Sequence, residues 1–330
     1  MEKPFNFAGL SDEYSGFRRA KVVVVPVPYE KTTTYKKGTV SGPAAIIDAS
    51  AYMEKFDDEL NQETFRIGIN TTEQLKLDGL PPEEMVKKVK EAVSDVIKAG
   101  KFPVVLGGEH SVSIGPVAAF REIYPDLSVL YLDAHYDLRD ELEGSRYNHG
   151  CVARRICETT PVVEVGVRSL SKEEKDFLNN IPSGSKVDIF SVYDILDDAM
   201  WKDKVAQLLS KNVYISIDLD VFDPALVPAV GTPEPGGIGW YELLEFLYSI
   251  IMEKNVVGMD VVELRPLADQ PASDFLAAKL IYRLLGYLYS PKRLSQLKKE
   301  EKDVTDSKEK DSASKENVLH KGSGNSQRGT

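Results

Sequence analysis

Asp133, His135 and Asp137 stand at i, i+2 and i+4 directly after the apolar run Ser128–Leu132. Carboxylate and imidazole are ordinary ligands of divalent cations, and on extended backbone alternate residues share one face. The spacing therefore directs all three side chains into one space at the C-terminal end of a strand, where open α/β sheets place their sites. Asp is also a common loop residue, so the triplet alone fits a surface loop as well as a metal site. Two further stretches weigh against the loop. Val104–Ser113 is a short apolar run that breaks into Gly107-Gly108-Glu109-His110-Ser111, and Val213–Pro224 passes through Ser216-Ile217-Asp218-Leu219-Asp220 to Asp223-Pro224. Asp218 and Asp220 again share a face. Of only four histidines, His110, His135 and His149 lie in or beside these motifs, and His320 lies in a polar stretch near the end.

Taken together, Gly-Gly-Glu-His-Ser, Asp-Ala-His-Tyr-Asp, Asn-His-Gly, Ser-Ile-Asp-Leu-Asp-Val-Phe-Asp-Pro and Gly-Met-Asp-Val-Val-Glu-Leu-Arg-Pro resemble the ureohydrolases, the arginase and agmatinase family of dinuclear manganese enzymes. The motifs occur in the family's order, and the similarity runs from about Val22 to Tyr289. The resemblance implies two Mn²⁺ per chain, with Asp133 and Asp218 bridging them, His110 and Asp137 on one ion, and His135 and Asp220 on the other. It also implies that Glu263 pairs with a substrate guanidinium, that His149 shuttles protons from a mobile loop, and that Asp137 steers a proton to the leaving amine.

The chemistry explains the residue types. A guanidinium is a resonance-stabilised cation that water at neutral pH attacks very slowly, and two divalent ions sharing one water lower its pKa towards neutrality. Four carboxylates against two dications sum to zero charge. Their hard oxygen donors favour manganese over zinc, which prefers tetrahedral sets richer in nitrogen or sulfur. The expected reaction is attack of a metal-bridging hydroxide on the guanidinium carbon, releasing urea and an amine.

The resemblance also implies that the loop Leu138–Asn148 grips the far end of the substrate. Its Asp140, Glu141 and Glu143 suit an amine tail, so agmatine, giving putrescine and urea for polyamine biosynthesis, is expected ahead of arginine. Arg139 and Arg146 lie in the same loop and would instead suit a carboxylate. Alternatives within the class are arginase and hydrolases of aminopropylagmatine, guanidinobutyrate or formimidoylglutamate. A single-zinc deacetylase or a non-catalytic binding protein on the same fold is the alternative from another class; six intact ligands argue against the deacetylase. Glu109 stands where relatives carry Asp, which leaves the geometry around the ligands open. Asp260 is a candidate support for the site, and Arg168 has both a structural and a functional reading.

These residues need strands to end where the motifs begin. Lys21–Pro28, Thr64–Ile69, Phe102–Leu106, Ser128–Leu132, Pro161–Val167, Lys186–Phe190, Asn212–Ile217 and Val256–Val261 read as strands. Helical patterns fill most gaps: a helix opening at Pro43, then Pro81–Ala99, Ser113–Ile123, His149–Glu158, Ser171–Asn179, Trp201–Ser210, Gly239–Glu253 and Ser273–Leu288. This βαβα alternation predicts a three-layer α/β/α fold around a mainly parallel sheet of about eight strands, which the resemblance makes arginase-like. No glycine occurs in Tyr29–Tyr35, so the dinucleotide-binding fingerprint is missing after the first strand.

Composition sets the bounds. Apolar residues at 42% and charged residues at 28% are ordinary for a globular protein. Met1-Glu2-Lys3-Pro4 lacks a signal-peptide pattern and no run approaches a membrane span, so a cytoplasmic protein with no membrane partner is expected. Cys151 and Cys157 read as core or surface thiols. Net charge is −11; residues 291–330 hold 10 Lys/Arg and 7 Asp/Glu, so residues 1–290 carry −14. Such a body excludes nucleic acid as a natural partner and welcomes a small cationic guanidino substrate. The domain reading is a catalytic unit over 1–290 and a polar tail over 291–330 too poor in apolar residues to order itself. The resemblance also implies a homo-oligomer, a trimer or hexamer.

Overall fold

The computed structural model describes residues 3–299. Eight strands form one sheet: β1 Val22–Val27, β2 Ile69–Thr71, β3 Phe102–Gly107, β4 Leu127–Leu132, β5 Val162–Val167, β6 Val187–Ser191, β7 Asn212–Asp218 and β8 Asn255–Val262. Their order is β2-β1-β3-β8-β7-β4-β5-β6, and every neighbouring pair is parallel. Parallel sheets are covered on both faces and so read as unbroken apolar runs; β1, β4 and β5 are buried along their whole length.

The period of two sorts the side chains onto two helical layers. Val22 and Val24 join a core with Ile46 and Ile47 of α1 (Gly42–Ser50), Leu243 and Leu247 of α8 (Trp240–Glu253), and Leu280 and Ile281 of α9 (Ala272–Leu288). Val23 and Val25 face the other layer, where α2 (Pro82–Lys98) lays down Met85, Val89 and Val93, and α3 (Ile114–Arg121) adds Phe120. In α2 the buried residues form one stripe, Pro82 occupies the first turn and Glu83 and Glu84 follow it, as the helix dipole favours. Further helices are α4 Val152–Cys157, α5 Lys172–Asn179, α6 Val192–Asp197 and α7 Trp201–Leu208, with a single turn at Asp12–Ser15. No helix among the described residues is long and apolar enough to cross a membrane.

Three expectations need correction. Thr64–Ile67 is a 3-10 turn and the strand starts only at Ile69. The break is Gly68, with φ of +82° and a position where an added Cβ would sit 2.8 Å from the Ala20 Cα. Helix α6 was not expected, although Ser191 and Asp194 form a capping box at its start. The proposed boundary at residue 291 also falls inside packed structure: residues 291–299 are helical, and Arg293, 3% exposed, donates to the carbonyls of Met252 (3.0 Å) and Lys254 (2.6 Å) at the end of α8. An arginine there satisfies carbonyls that a helix C-terminus leaves open. The rest of the expected tail, from residue 300 on, lies outside the described residues. Cys151 and Cys157 are both buried and free.

Strands β3 and β4 are consecutive in this sheet's sequence order yet are separated in space by β8 and β7. The strand order reverses there, and the crevice beyond the C-terminal ends of these four strands is where such folds bind ligands.

Candidate metal centre and active site

All four central strands deliver side chains into that crevice. After β3, Gly108 donates to the Val27 carbonyl and Glu109 to the Tyr29 carbonyl, so the chain leaving β3 lies against the chain leaving β1. A Cβ on Gly108 would come 2.1 Å from the Tyr29 oxygen; only glycine fits. The 3-10 turn His110–Ser113 follows and presents His110. β4 runs out into Asp133 and His135, β7 ends on Asp218 with Asp220 in the next turn, and β8 runs out into Glu263. Asp137 arrives differently from expected. Its φ is +49°, so extended alternation holds only as far as His135, and a left-handed residue turns the third ligand inward.

The six expected ligands come together. His110, Asp133 and Asp137 form one group with ligand atoms within 4.8 Å of one another, and Asp133, His135 and Asp220 form a second. Asp133 belongs to both. Asp218 places one oxygen 3.3 Å from His110 Nδ1 and accepts the Asp220 amide on the other at 2.8 Å.

The surrounding hydrogen bonds assign the tautomer of His110. Ser216 has a single hydroxyl proton and gives it to Asp260 at 2.7 Å, so Ser216 Oγ accepts from His110 Nε2 at 2.9 Å. Tyr214 donates to the other Asp260 oxygen at 2.8 Å. A neutral His110 then carries its lone pair on Nδ1, which faces carboxylate oxygens of Asp133 (2.9 Å), Asp218 (3.3 Å) and Asp137 (3.6 Å). The nearby hydroxyl of Tyr131 gives its proton to Asp137 at 2.7 Å. Asp133 Oδ2 is buried and accepts no hydrogen bond, despite Nδ1 at 2.9 Å. An imidazole lone pair and several buried carboxylate oxygens converging on one point require a cation or shared protons. The donor set therefore fits two hard divalent cations, with the distal nitrogen of His110 held through Ser216 by a carboxylate, as metal-bound histidines usually are.

The acid–base pattern of the chain's own groups agrees. With no ion bound, burial opposes protonation of His110, but Asp133 and Asp218 favour it and prevail; burial opposes ionisation of Asp133, but the protonated His110 and His135 outweigh it and hold that carboxyl well below its usual range. Burial and then neighbouring carboxylates push Asp218 and Asp220 up, and burial with Asp133 raises Asp137 to about 7. His149 is disfavoured as a cation by burial, yet Glu263, Asp137 and Glu109 together lift it to about 9.

Glu263 has a φ of +64° and accepts the His110 amide at 2.7 Å. Its own amide binds the Gly108 carbonyl at 2.8 Å. His149 Nδ1 lies 3.7 Å from Glu263, and Asn148 caps the His149 turn by accepting from Gly150 at 3.0 Å. Arg168 donates to the carbonyls of Gly166, Asp220, Phe222, Glu234 and Pro235. The side chain pins the loop that carries Asp220, which makes its role structural support of the site.

A cavity of about 350 Å³ connects His110, His135, Asp137, His149, Asp218 and Glu263 to an outer wall of Arg139, Leu142, Leu170, Ser171 and Glu174. A more open groove of about 1380 Å³, lined by Phe56, Trp240, Tyr241 and Phe275 among others, contains no histidine and no convergent metal-type group, so the smaller cavity is the site. The wall corrects the expectation for the loop acids. Asp140 is taken up by Arg155 (2.6 Å) and Arg146 (3.1 Å), Arg146 also binds Glu158 (3.2 Å), and Asp140, Glu141 and Glu143 are not among the cavity's lining residues. Arg139 does line it, 3.5 Å from Glu173. The acid on the wall is Glu174, which accepts from the amides of Leu138 (3.0 Å) and Ser171 (2.8 Å).

Sequence reasoning missed Tyr131, Ser216, Thr32, Glu174 and Glu234. Tyr131 and Ser216 were findable, since each stands two residues before a ligand on the same strand face. Ser171-x-x-Glu174 is a legible capping box, but its position on the cavity wall is not. Glu234, 2.8 Å from Ser169 Oγ and 3.8 Å from His135 Nε2, sits in a loop with no periodic signal.

The fold and this centre define a class: an α/β/α protein with a paired imidazole–carboxylate centre in the crevice of a parallel sheet. The chain belongs to the arginase family, whose model, described as Arginase family, matches residues 20–286. It is 39% identical over 287 residues to the N(1)-aminopropylagmatine ureohydrolase of Synechocystis sp., covering 84% of this chain and 92% of that one. It is 34% identical to the agmatinase of Bacillus anthracis, covering 83% and 94%. Among solved structures, the agmatine ureohydrolase of Thermoplasma volcanium superposes with a TM-score of 0.78 at 30% identity, covering 88% of this chain and 96% of that one.

Proposed function

We propose that this arginase-family hydrolase releases urea from a guanidino compound with an amine at its far end, agmatine or its aminopropyl derivative, and that it works with two Mn²⁺. The observation that carries the reading is the sharing of Asp133 between two His/Asp groups, with Glu263 beside them on the adjoining strand. His110, Asp133, Asp137, His135, Asp218 and Asp220 would hold the ions. Such a pair acidifies a shared water, so that a nucleophile exists at neutral pH.

The chain's own groups supply the rest. Glu263 accepts the His110 amide on Oε1 while Oε2 faces Gly231, which offers no side chain in the way. That oxygen would pair with the substrate guanidinium, and charge-assisted bonds of this kind are the strong ones. It would offset the approach of a cation to a cationic centre. His149, charged at neutral pH beside Glu263, can give a proton to the departing amine nitrogen and take one back from solvent. Asp137, one of the residues that would hold the ions, would steer that proton towards the amine.

An amine tail is supported by the −14 charge of residues 1–290 and by Glu174 on the wall, since the acids of the 138–148 loop turn away. The aminopropyl derivative has support of its own in the relative at 39% identity that carries its name. The test is urea release from agmatine, aminopropylagmatine, arginine and guanidinobutyrate by metal-stripped protein reloaded with Mn²⁺, compared as kcat/KM. A preference for arginine or guanidinobutyrate would overturn the amine reading and make Arg139 the specificity residue. One metal per chain, or full activity without metal, would overturn the dinuclear reading. We also propose a homo-oligomer, checked by light scattering.

A further inference from the structure

The segment after β1 carries no motif, yet it touches the active site at two points. Glu109, wholly buried, accepts four hydrogen bonds: from the amides of Lys31 and Thr32 at 2.6 Å each, from Thr32 Oγ1 at 2.7 Å and from Ser111 Oγ at 2.6 Å. Thr32 Oγ1, having given its proton to Glu109, accepts the backbone amide of His149 at 2.9 Å. Two residues on, Thr34 Oγ1 lies 3.4 Å from His149 Nε2. These contacts join residues about 115 positions apart and span three loops of the crevice.

The length of Glu109 matters to this chain of contacts. Its backbone is already fixed, since its amide binds the Tyr29 carbonyl. Asp at this position would withdraw the carboxylate by one carbon–carbon bond, about 1.5 Å, and could not keep both the 31–32 amides and the Ser111 hydroxyl within bonding distance. The hydroxyl of Thr32 is equally specific. It must donate in one direction and accept in the other, which serine can do and valine, of the same shape, cannot.

We infer that Glu109 and Thr32 are positioning residues that fix the backbone of His149 at the distance from Glu263 where it can exchange a proton with bound substrate. The inference rests on the proposed role of His149. Its consequence is a selective loss. The Thr32 hydroxyl bonds Glu109 and the His149 amide and no candidate metal ligand or Glu263, so removing it should leave metal content and substrate binding intact while slowing turnover.

The test uses the full-length, manganese-loaded protein and Thr32→Val, Thr32→Ser and Glu109→Asp. Thr32→Val is expected to lower kcat at least tenfold with KM within twofold of the parent, and to retain the parent's manganese content. Thr32→Ser should restore kcat to within threefold. Hydrogen exchange, followed by mass spectrometry on peptides covering His149, should speed up in Thr32→Val and Glu109→Asp and not in Thr32→Ser. Thr32→Val with parental kcat and parental exchange would overturn the inference. Loss of manganese from Glu109→Asp in step with its activity would assign Glu109 to its neighbour His110 and overturn its part. If the parent releases urea from no guanidino compound, the functional reading fails, and the exchange measurements still decide whether Thr32 and Glu109 anchor His149.

Discussion

Asp218→Asn should stabilise the metal-free protein and weaken its response to metal, opposite signs from one substitution. Asp218 is 3% exposed and is pushed up by burial and by Asp220 and Asp133, so its ionised form is unwelcome without a counter-charge. Two carboxylates about 4 Å apart repel by about 4 kcal/mol at an effective dielectric near 20, which protonation partly relieves. Asparagine removes that charge and keeps an oxygen to accept the Asp220 amide at 2.8 Å. With its pKa raised on folding, Asp218 binds its proton more tightly in the native state, so this contribution is complete below the ordinary carboxylate range and is lost as pH climbs above it. Metal-free parent protein should therefore lose stability as pH rises from about 4 towards neutrality, and the variant should lose less. Manganese reverses the slope, because ligands must shed protons to bind it. Each site at a hundredfold excess over Kd adds about 2.7 kcal/mol, or roughly 5–10 °C in Tm at 2–4 °C per kcal/mol. Scanning calorimetry across pH, with and without Mn²⁺, should show the metal-induced rise at least halved in Asp218→Asn and the metal-free Tm a few degrees higher. Equal destabilisation of the variant with and without metal would show that the carboxylate holds the fold and not an ion, and the reasoning would fail.

Glu263→Gln should lower kcat/KM roughly 10- to 150-fold, the worth of one charge-assisted hydrogen bond, with two metals retained; unchanged kinetics would remove Glu263 from substrate binding. Arg168→Ala frees the loop carrying Asp220 and should weaken manganese binding roughly 10- to 100-fold, read by metal titration. A chain ending at Lys299 should match the full chain in Tm and turnover. One ending at Ser290 loses both Arg293 bonds to the end of α8 and should fall by about 2–4 kcal/mol, or roughly 4–16 °C; equal stability of the two truncations would show that the 291–299 helix does not matter.

Much of this fold was legible because its strands are buried on both faces. Val22–Val27 or Leu127–Leu132 can only be an inner parallel strand, and the βα alternation then dictates a covered sheet. Among the candidate ligands, Asp133, His135, Asp218 and Asp220 were legible because they follow those strands at a spacing of two. Legibility ended where side chains are held by distant backbone. Nothing local says that Thr32 reaches the His149 amide or that the last turn of α8 waits for Arg293. The loop acids show the same failure from the other direction: Asp140 has the right charge and neighbourhood, but Arg155, 5% exposed at its side chain, claims it for the packing of α4.

The two residues that complete the site share a physical oddity. Asp137 and Glu263 are both non-glycine residues in the left-handed region, with φ of +49° and +64°, and each lies in the chain that follows a central strand, where regular extended backbone has ended. Such backbone costs roughly 1–3 kcal/mol per residue and persists only when surroundings over-determine it. Here they do: Asp137 accepts a hydrogen bond from the Tyr131 hydroxyl on its carboxylate and from the Arg154 amide on its carbonyl, and Glu263 is held at its amide by Gly108 and at its carboxylate by His110. Regular strands alone deliver Asp133, His135 and Asp218 to the crevice. Under the proposed function the turned residues would add the carboxylate that steers a proton and the one that meets a guanidinium, so the strain would lie where the metal centre borders the substrate.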